Sequence, residues 1–227
     1  DEFRSSQFPH YVIPNASDIG GGLARLSVIP CSFRIDDFST NMAKARRGHQ
    51  SNDQFLAFFR NRREVMRRWL HANYDFTIVD CPPSIALQVK VFLMVADAFI
   101  VPSIPDRLSV RGSLYLHERI QAQGIKIKGM GTLWSLYRDQ NKMHHKVIEA
   151  TAKGVEPYNQ LPRPFGTVIP TAAAIAEATE PGRKPKTFNA KYTPPFAKLY
   201  HSLSGEIVQR SQWQRAESNG AAVAANV

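Results

Sequence analysis

The stretch Tyr74-Asp75-Phe76-Thr77-Ile78-Val79-Asp80-Cys81-Pro82-Pro83-Ser84 decides how this chain is read. Phe76 to Val79 are apolar or β-branched, the composition of a strand buried on both faces. The run ends on the carboxylate of Asp80, and two prolines then forbid further strand or helix hydrogen bonding. A lone acid at the carboxyl end of a buried parallel strand stands where open α/β sheets bind ligands. In phosphate-handling proteins such an acid holds Mg²⁺ or its water, because Mg²⁺ takes oxygen ligands and few from the protein. The competing reading is that Asp80 only caps the helix after the prolines.

Bulk composition narrows the class. The chain has 227 residues, 43% hydrophobic and 21% charged, which suits one globular domain. No apolar run approaches the roughly 20 residues of a membrane span, and no signal peptide opens the chain, so the expected location is the cytoplasm. The two cysteines, Cys31 and Cys81, are too few and too far apart for a disulfide framework or a metal knuckle. Lys and Arg number 29 against 19 acids, a net charge of +10. Such a molecule attracts polyanions, nucleic acid above all.

Outward from Asp80, strand-like and helical segments alternate. Residues 1–22 read as irregular, and Leu26-Ser27-Val28-Ile29-Pro30 as a short strand closed by proline. Residues 34–50 suit a loop or a loosely held helix. Ser51 and Gln54 fit a capping box before a helix with Phe55, Phe59, Arg62, Met66 and Trp69 on one stripe and Arg60, Arg63, Arg67 and Arg68 opposite. A helix is expected over 85–96, a strand over Asp97–Pro102, then a helix capped by Ser109 and stopped by Gly124. Residues 125–137 read as a long β segment, Asn141–Lys153 as a helix stopped by Gly154, and Thr167–Pro170 as a strand. An Ala-rich helix over 171–179, a Pro- and Lys-rich loop over 181–195 and a helix striped with Phe196, Leu199, Tyr200, Leu203 and Ile207 complete residues 1–215. Residues 216–227 suit a disordered tail. This alternation predicts an α/β fold with a mostly parallel, doubly wound sheet flanked by helices. Trp69 and Trp134 are expected in the core and Cys81 as a small buried filler. The pair His144-His145 is not read as a metal site, since neighbours at i and i+1 on a helix point apart.

The quoted stretch resembles the Walker B and switch II segment of the ParA/MinD superfamily of ATPases, whose fold is P-loop NTPase-like. The ParA branch is similar in order and spacing through Met94-Val95-Ala96-Asp97-Ala98-Phe99-Ile100-Val101-Pro102 and Leu108-Ser109-Val110-Arg111-Gly112. It continues with Ile127-Lys128-Gly129, Leu136-Tyr137-Arg138, Lys142 and Val168-Ile169-Pro170-Thr171, so the likeness runs from about Leu26 to Gln209. The family opens with a strand and a loop Lys-Gly-Gly-x-Gly-Lys followed by Ser or Thr, whose amides, lysine and hydroxyl cradle phosphates and Mg²⁺. The only glycine cluster here, Gly20-Gly21-Gly22, has no such lysine after it. The expectation is therefore a sheet without its first strand and Walker A loop, the missing part lying before Asp1.

The resemblance implies a partition or cargo-positioning ATPase that binds ATP and Mg²⁺, dimerises, coats nucleoid DNA without sequence preference, and is stimulated by a ParB-like or cargo-adaptor protein. Asp80 would be its catalytic, Mg²⁺-linked acid, and Pro82, Pro83, Ser84 and Pro170 its nucleotide-binding residues. Arg111, Arg119, Arg138, Lys142 and Lys146 would carry DNA, with Lys126, Lys128 and Lys153 in the same half. Without the phosphate cradle no hydrolysis is expected of the chain. A nucleotide-independent DNA-binding or ParA-interacting adaptor is the alternative. An iron–sulfur carrier from the same superfamily would need a Cys-x-x-Cys, which the sequence lacks.

Overall fold

A computed structural model of the chain describes residues 5–31, 37–82, 85–180 and 182–224. It forms two compact units. The first comprises Asp1–Ser17, Gly21–Asp97 and Arg119–Ile127, the second Asp18–Gly20, Ala98–Glu118 and Lys128–Val227.

The first unit is helical. Its longest element is α2 (Asn52–Asn73), preceded by α1 (Phe38–Arg47) and followed by α3 (Leu87–Leu93). Ser51 caps α2 as its sequence predicts, accepting the Gln54 N–H at 3.2 Å. The return half of the box is displaced by one residue, because Gln54 Oε1 accepts from Gln50 N at 3.1 Å. The expected stripe buries Phe55 and stacks Trp69 on Phe8 with ring centroids 5.0 Å apart. On the other face Arg67 and His71 both reach Asp97, at 3.4 Å. No residue of α1 is buried, so it is the loosely held helix the composition suggests.

The second unit is built on a βαβ element. β1 (Ala98–Ser103) pairs in parallel with β2 (Lys128–Trp134), and α4 (Arg107–Ala122) makes the crossover. The register runs from Ala98↔Lys128 to Ser103↔Trp134 with one irregularity between Phe99 and Ile100. This bears out an α/β chain with a parallel sheet. The cap of α4 is Asp106, whose Oδ1 accepts the Ser109 N–H at 2.7 Å, so the expected Ser109 cap sits inside the first turn. Gly124 takes a φ of 66°, the left-handed turn that a stop after α4 requires. Val110, Trp134, Val147 and Leu161 form the core, with Trp134 1% exposed. Val147 comes from α5 (Lys142–Ala152), capped by Asn141, and α6 (Ala173–Glu177) and α7 (Phe188–Ala224) follow. α7 breaks at Thr193, where φ is 61° and ψ 153°, ahead of Pro194 and Pro195. Its backbone stays helical through Ala224, where composition led to an expectation of disorder after Arg215.

Three expected strands do not form. Phe76–Val79 has no regular structure and no strand partner among the described residues, and Phe76, Ile78 and Val79 are exposed, Ile78 at 88%. A strand is buried by its neighbours, and among the described residues none pairs with it. Leu26–Pro30 contributes one antiparallel bridge, Val28 to Ile13, and stays largely exposed. Thr167–Pro170 runs beside β2, with Ile169 N donating to Trp134 O and Tyr137 N to Ile169 O, but makes one isolated bridge. Its amides are diverted: Gly166 N and Thr167 N donate to the Glu206 carboxylate of α7, at 2.7 and 2.8 Å.

That carboxylate belongs to a clamp. Arg210, one turn on, donates to Met130 O, Arg163 O and Pro164 O at 2.9, 2.7 and 2.6 Å and lies 4.1 Å over the Phe165 ring. Burial works to raise the Glu206 pKa, but hydrogen bonds from Thr167 and Gly166 and the charge of Arg210 outweigh it, leaving the carboxyl below its ordinary range. Gly131 is the counterpart in β2, since a Cβ there would run into Arg210 and Phe165. Gly131→Ala should destabilise by about 1–3 kcal/mol through overpacking, read as a lower thermal midpoint. The folded pKa of Glu206 is depressed, so its contribution is present above the unfolded pKa and lost as pH falls through the folded one. Between about pH 5 and about pH 3 the urea midpoint of the wild type should fall more steeply than that of Glu206→Gln; parallel curves would count against the clamp.

Candidate functional site

Asp80 lies in the first unit, seven residues after α2 ends. Tyr74 closes that helix, its N–H donating to Leu70 O at 2.9 Å, and residues 76–82 take no regular secondary structure. Asp80, Cys81 and Pro82 are all exposed. Asp80 is thus not the end of a buried strand, and the burial that would raise the worth of its charge toward a cation is absent. Cys81 is not the buried filler its small size suggested; partial desolvation, with the Asp80 carboxylate beside it, pushes its thiol above the usual range. Pro83 and Ser84 lie outside the described residues.

Among the described residues nothing makes a triphosphate site with Asp80. Asp80 offers one carboxylate, and Mg²⁺ is commonly held by one or two of these together with substrate phosphates. The phosphate half needs a loop of free amides. The glycine cluster does not supply it, because Gly20 N already donates to Pro185 O at 2.9 Å and Gly22 packs on Asn15. Among the described residues no group of three or more His, Cys, Asp or Glu side chains could hold a metal ion.

The second unit holds Pro170 and most of the basic set. The turn after β2 places Leu136 at a φ of 51°, a conformation rare for leucine, and Tyr137 then bridges Pro170, with Thr171 N donating to Tyr137 O at 2.8 Å. Arg138 follows and is exposed. Its own N–H donates to Nδ1 of the buried His144 at 3.1 Å, and Asn141 N donates back to Arg138 O at 3.0 Å. The next helix, α5, begins at Lys142, and Lys146 sits one turn on along the same face. Arg138, Lys142 and Lys146 are exposed and form no ion pair among the described residues, whereas Lys153 is matched by Glu149 at 2.6 Å. Arg111, on α4, is exposed in this unit, and Arg119, in the last turn of α4, belongs to the first unit.

The support under Arg138 was not legible in the sequence. Tyr137 Oη donates to Asp139 Oδ1 at 3.0 Å, and His145 Nε2 lies 2.7 Å from Asp139 O and 3.1 Å from Tyr137 Oη. Partial burial, then the hydrogen bond and charge of Asp139, push the Tyr137 phenol above its usual range. His144 and His145 thus pin the turn from opposite sides. Their pairing in sequence was the available signal, read only against metal binding. Tyr137, His145, Ile148, Glu149 and Val168 line an open pocket of about 440 Å³.

Comparison with known proteins adds likenesses in sequence. A family profile described as an AAA domain matches residues 24–128. The chromosome partitioning protein ParA of Myxococcus xanthus is 26% identical over 63% of this chain and 50% of its own length. The chromosome-partitioning ATPase Soj of Treponema pallidum is 26% identical over 60% of the chain and 53% of its length. A ParA family protein of Mycoplasma pneumoniae is 25% identical over 55% and 43%. The chain spans about half the length of the curated relatives it matches. Among solved structures, a cobyrinic acid a,c-diamide synthase from Mycobacterium smegmatis, crystallised with an ATP analog and magnesium, aligns at TM-score 0.46 and 20% identity over 79% of this chain and 71% of that one. The family profile spans the Asp80 motif and the residues after it as far as Lys128, and the chain is similar in sequence to ParA-family partition proteins.

Proposed function

We propose that the chain is a ParA-type partition or cargo-positioning protein that binds DNA without sequence preference, through the basic turn and first turns of α5. The observation that carries this reading is the exposure of Arg138, Lys142 and Lys146 as unmatched cations on a turn that Tyr137, His144 and His145 hold in one shape. A fixed array of cations suits a polymer of phosphates, because the order of the side chains is established before binding. Arg111 on α4 and, in the first unit, Arg119 are further basic residues of the same reading. A homodimer, nucleoid association and a ParB-like or cargo-adaptor partner belong to the same reading, supported by the partition proteins among the relatives.

Hydrolysis is not proposed for these 227 residues. Asp80 is exposed, and the phosphate cradle is lacking among the described residues, so no step runs through ATP or Mg²⁺. This favours, as a second reading, a nucleotide-independent adaptor with the same DNA surface. Mass spectrometry of the native protein separates the two: ATP or ADP carried through purification supports the first, DNA binding with none supports the second.

The DNA surface is tested by fluorescence anisotropy with a labelled duplex across a salt series. Neutralising Arg138, Lys142 and Lys146 together to Gln should reduce the slope of log affinity against log salt by about three, uniformly across sequences. An unchanged slope would remove these residues from the interface. Phosphate release measured with ATP and DNA present should stay below ~0.01 s⁻¹, slow beside ordinary enzymes; faster turnover would overturn the claim of incompetence.

A further inference from the structure

The second unit carries a cavity unrelated to the Asp80 motif. It has a volume of about 220 Å³ and is lined by Ala178, Arg183, Lys184, Pro185, Ala190 and Lys191. Three of these six side chains are cationic and none is acidic. The other three are small or rigid, and the three cations border the open space. Pockets for drug-sized ligands start at roughly 300 Å³, so this one suits a single compact group.

Two of the three cations, Lys191 and Arg183, are anchored. Lys191 is 15% exposed, and its Nζ lies 2.6 Å from both carboxylate oxygens of Asp18. Asp18 balances the Lys191 charge and the Glu177 carboxylate partly offsets that of Arg183, which leaves Lys184 without an ion pair among the described residues. Arg183 donates one nitrogen, Nη1, to Glu177 O at 3.1 Å, with the Glu177 carboxylate 3.9 Å away. A guanidinium has five N–H donors, so one anchoring bond leaves an edge able to bind an oxyanion in bidentate fashion. The loop itself is pinned, since Gly20 N donates to Pro185 O and a Cβ at Gly20 would stand 2.8 Å from Lys186 O. Thr187 caps the helix that follows, its Oγ1 accepting from Ala190 N at 3.1 Å.

The geometry points to a phosphate-binding site in which Arg183 and Lys184 hold one phosphate group against a wall formed by Ala178, Pro185 and Lys191. The group comes either from the phosphodiester backbone of a duplex or from the free phosphates of a nucleotide. Both present the same oxyanion, and experiment tells them apart. The site is separate from the α5 surface, and its binding of a free phosphate does not depend on the DNA reading above.

Calorimetric titration of the full chain with sodium pyrophosphate is the direct test. Arg183→Gln combined with Lys184→Gln should weaken binding by roughly tenfold or more, the loss of charge-assisted hydrogen bonds, while Arg183→Lys with Lys184→Arg retains most of it. Both side chains are exposed, so far-UV circular dichroism and the thermal midpoint should be unchanged. If the duplex is the source, the Gln pair also lowers the salt slope of DNA binding by about two and leaves ATP affinity alone. If a nucleotide is the source, ATP affinity falls and the duplex slope stays. Equal pyrophosphate affinity in wild type and the Gln pair, or no binding by the wild type, overturns the site. Pyrophosphate binding that depends on Arg183 and Lys184 without any duplex binding keeps the pocket and removes the DNA reading instead. Duplex binding lost only on changing Arg138, Lys142 and Lys146, with pyrophosphate not bound, does the reverse.

Discussion

The second unit depends on the pair Glu206 and Arg210, which ties α7 to the loop at 163–167 and to β2. Main-chain groups that would extend the parallel sheet find their partners on a helix instead. Gly166 and Thr167 give their N–H groups to a carboxylate, and Met130, Arg163 and Pro164 receive a guanidinium. Charged partners make the stronger hydrogen bonds, so the substitution of side chain for strand costs little. It holds Phe165 under the guanidinium and keeps Thr132 wholly buried, its Oγ1 donating to Pro162 O at 2.8 Å. It also brings residues 167–171 alongside β2, which sets Pro170 next to Tyr137 and so fixes the start of the basic turn.

Helices were legible in this chain because their signals are local. Ser51 and Asn141 cap where their side chains suggest, Gly124 and Gly154 take positive φ where the helices stop, and the stripe from Phe196 to Ile207 lies on one helix. β1 was also found, and β2 forms inside the longer segment expected over 125–137, because the two pair with each other. Phe76–Val79 has the same composition and stays unpaired. Propensity describes how well a residue fits a pleated, half-buried surface, and the surface has to be supplied by another segment. Thr167–Pro170 fails differently, through competition from Glu206 forty residues away, which no local window contains.

The candidate site divides along the same line. That Arg138, Lys142 and Lys146 carry charge is plain from composition and needs no fold. What the sequence hid is why the turn bearing them has one shape. That rests on Tyr137, Asp139, His144 and His145, whose hydrogen bonds reverse direction within nine residues. Asp80 shows the opposite case, in which a motif is easy to read and its burial has to be found.

The exposed run from Phe76 to Val79 has a consequence for handling the protein. Short apolar segments of high β-propensity with unmatched backbone are templates for strand addition between copies. Here Asp75 and Asp80 bracket the run and Pro82 follows directly. Charges and prolines at such flanks interrupt the window that would otherwise stack. In this chain the Asp80 carboxylate stands as a gatekeeper, and a substitution that removes its charge lowers the barrier to aggregation.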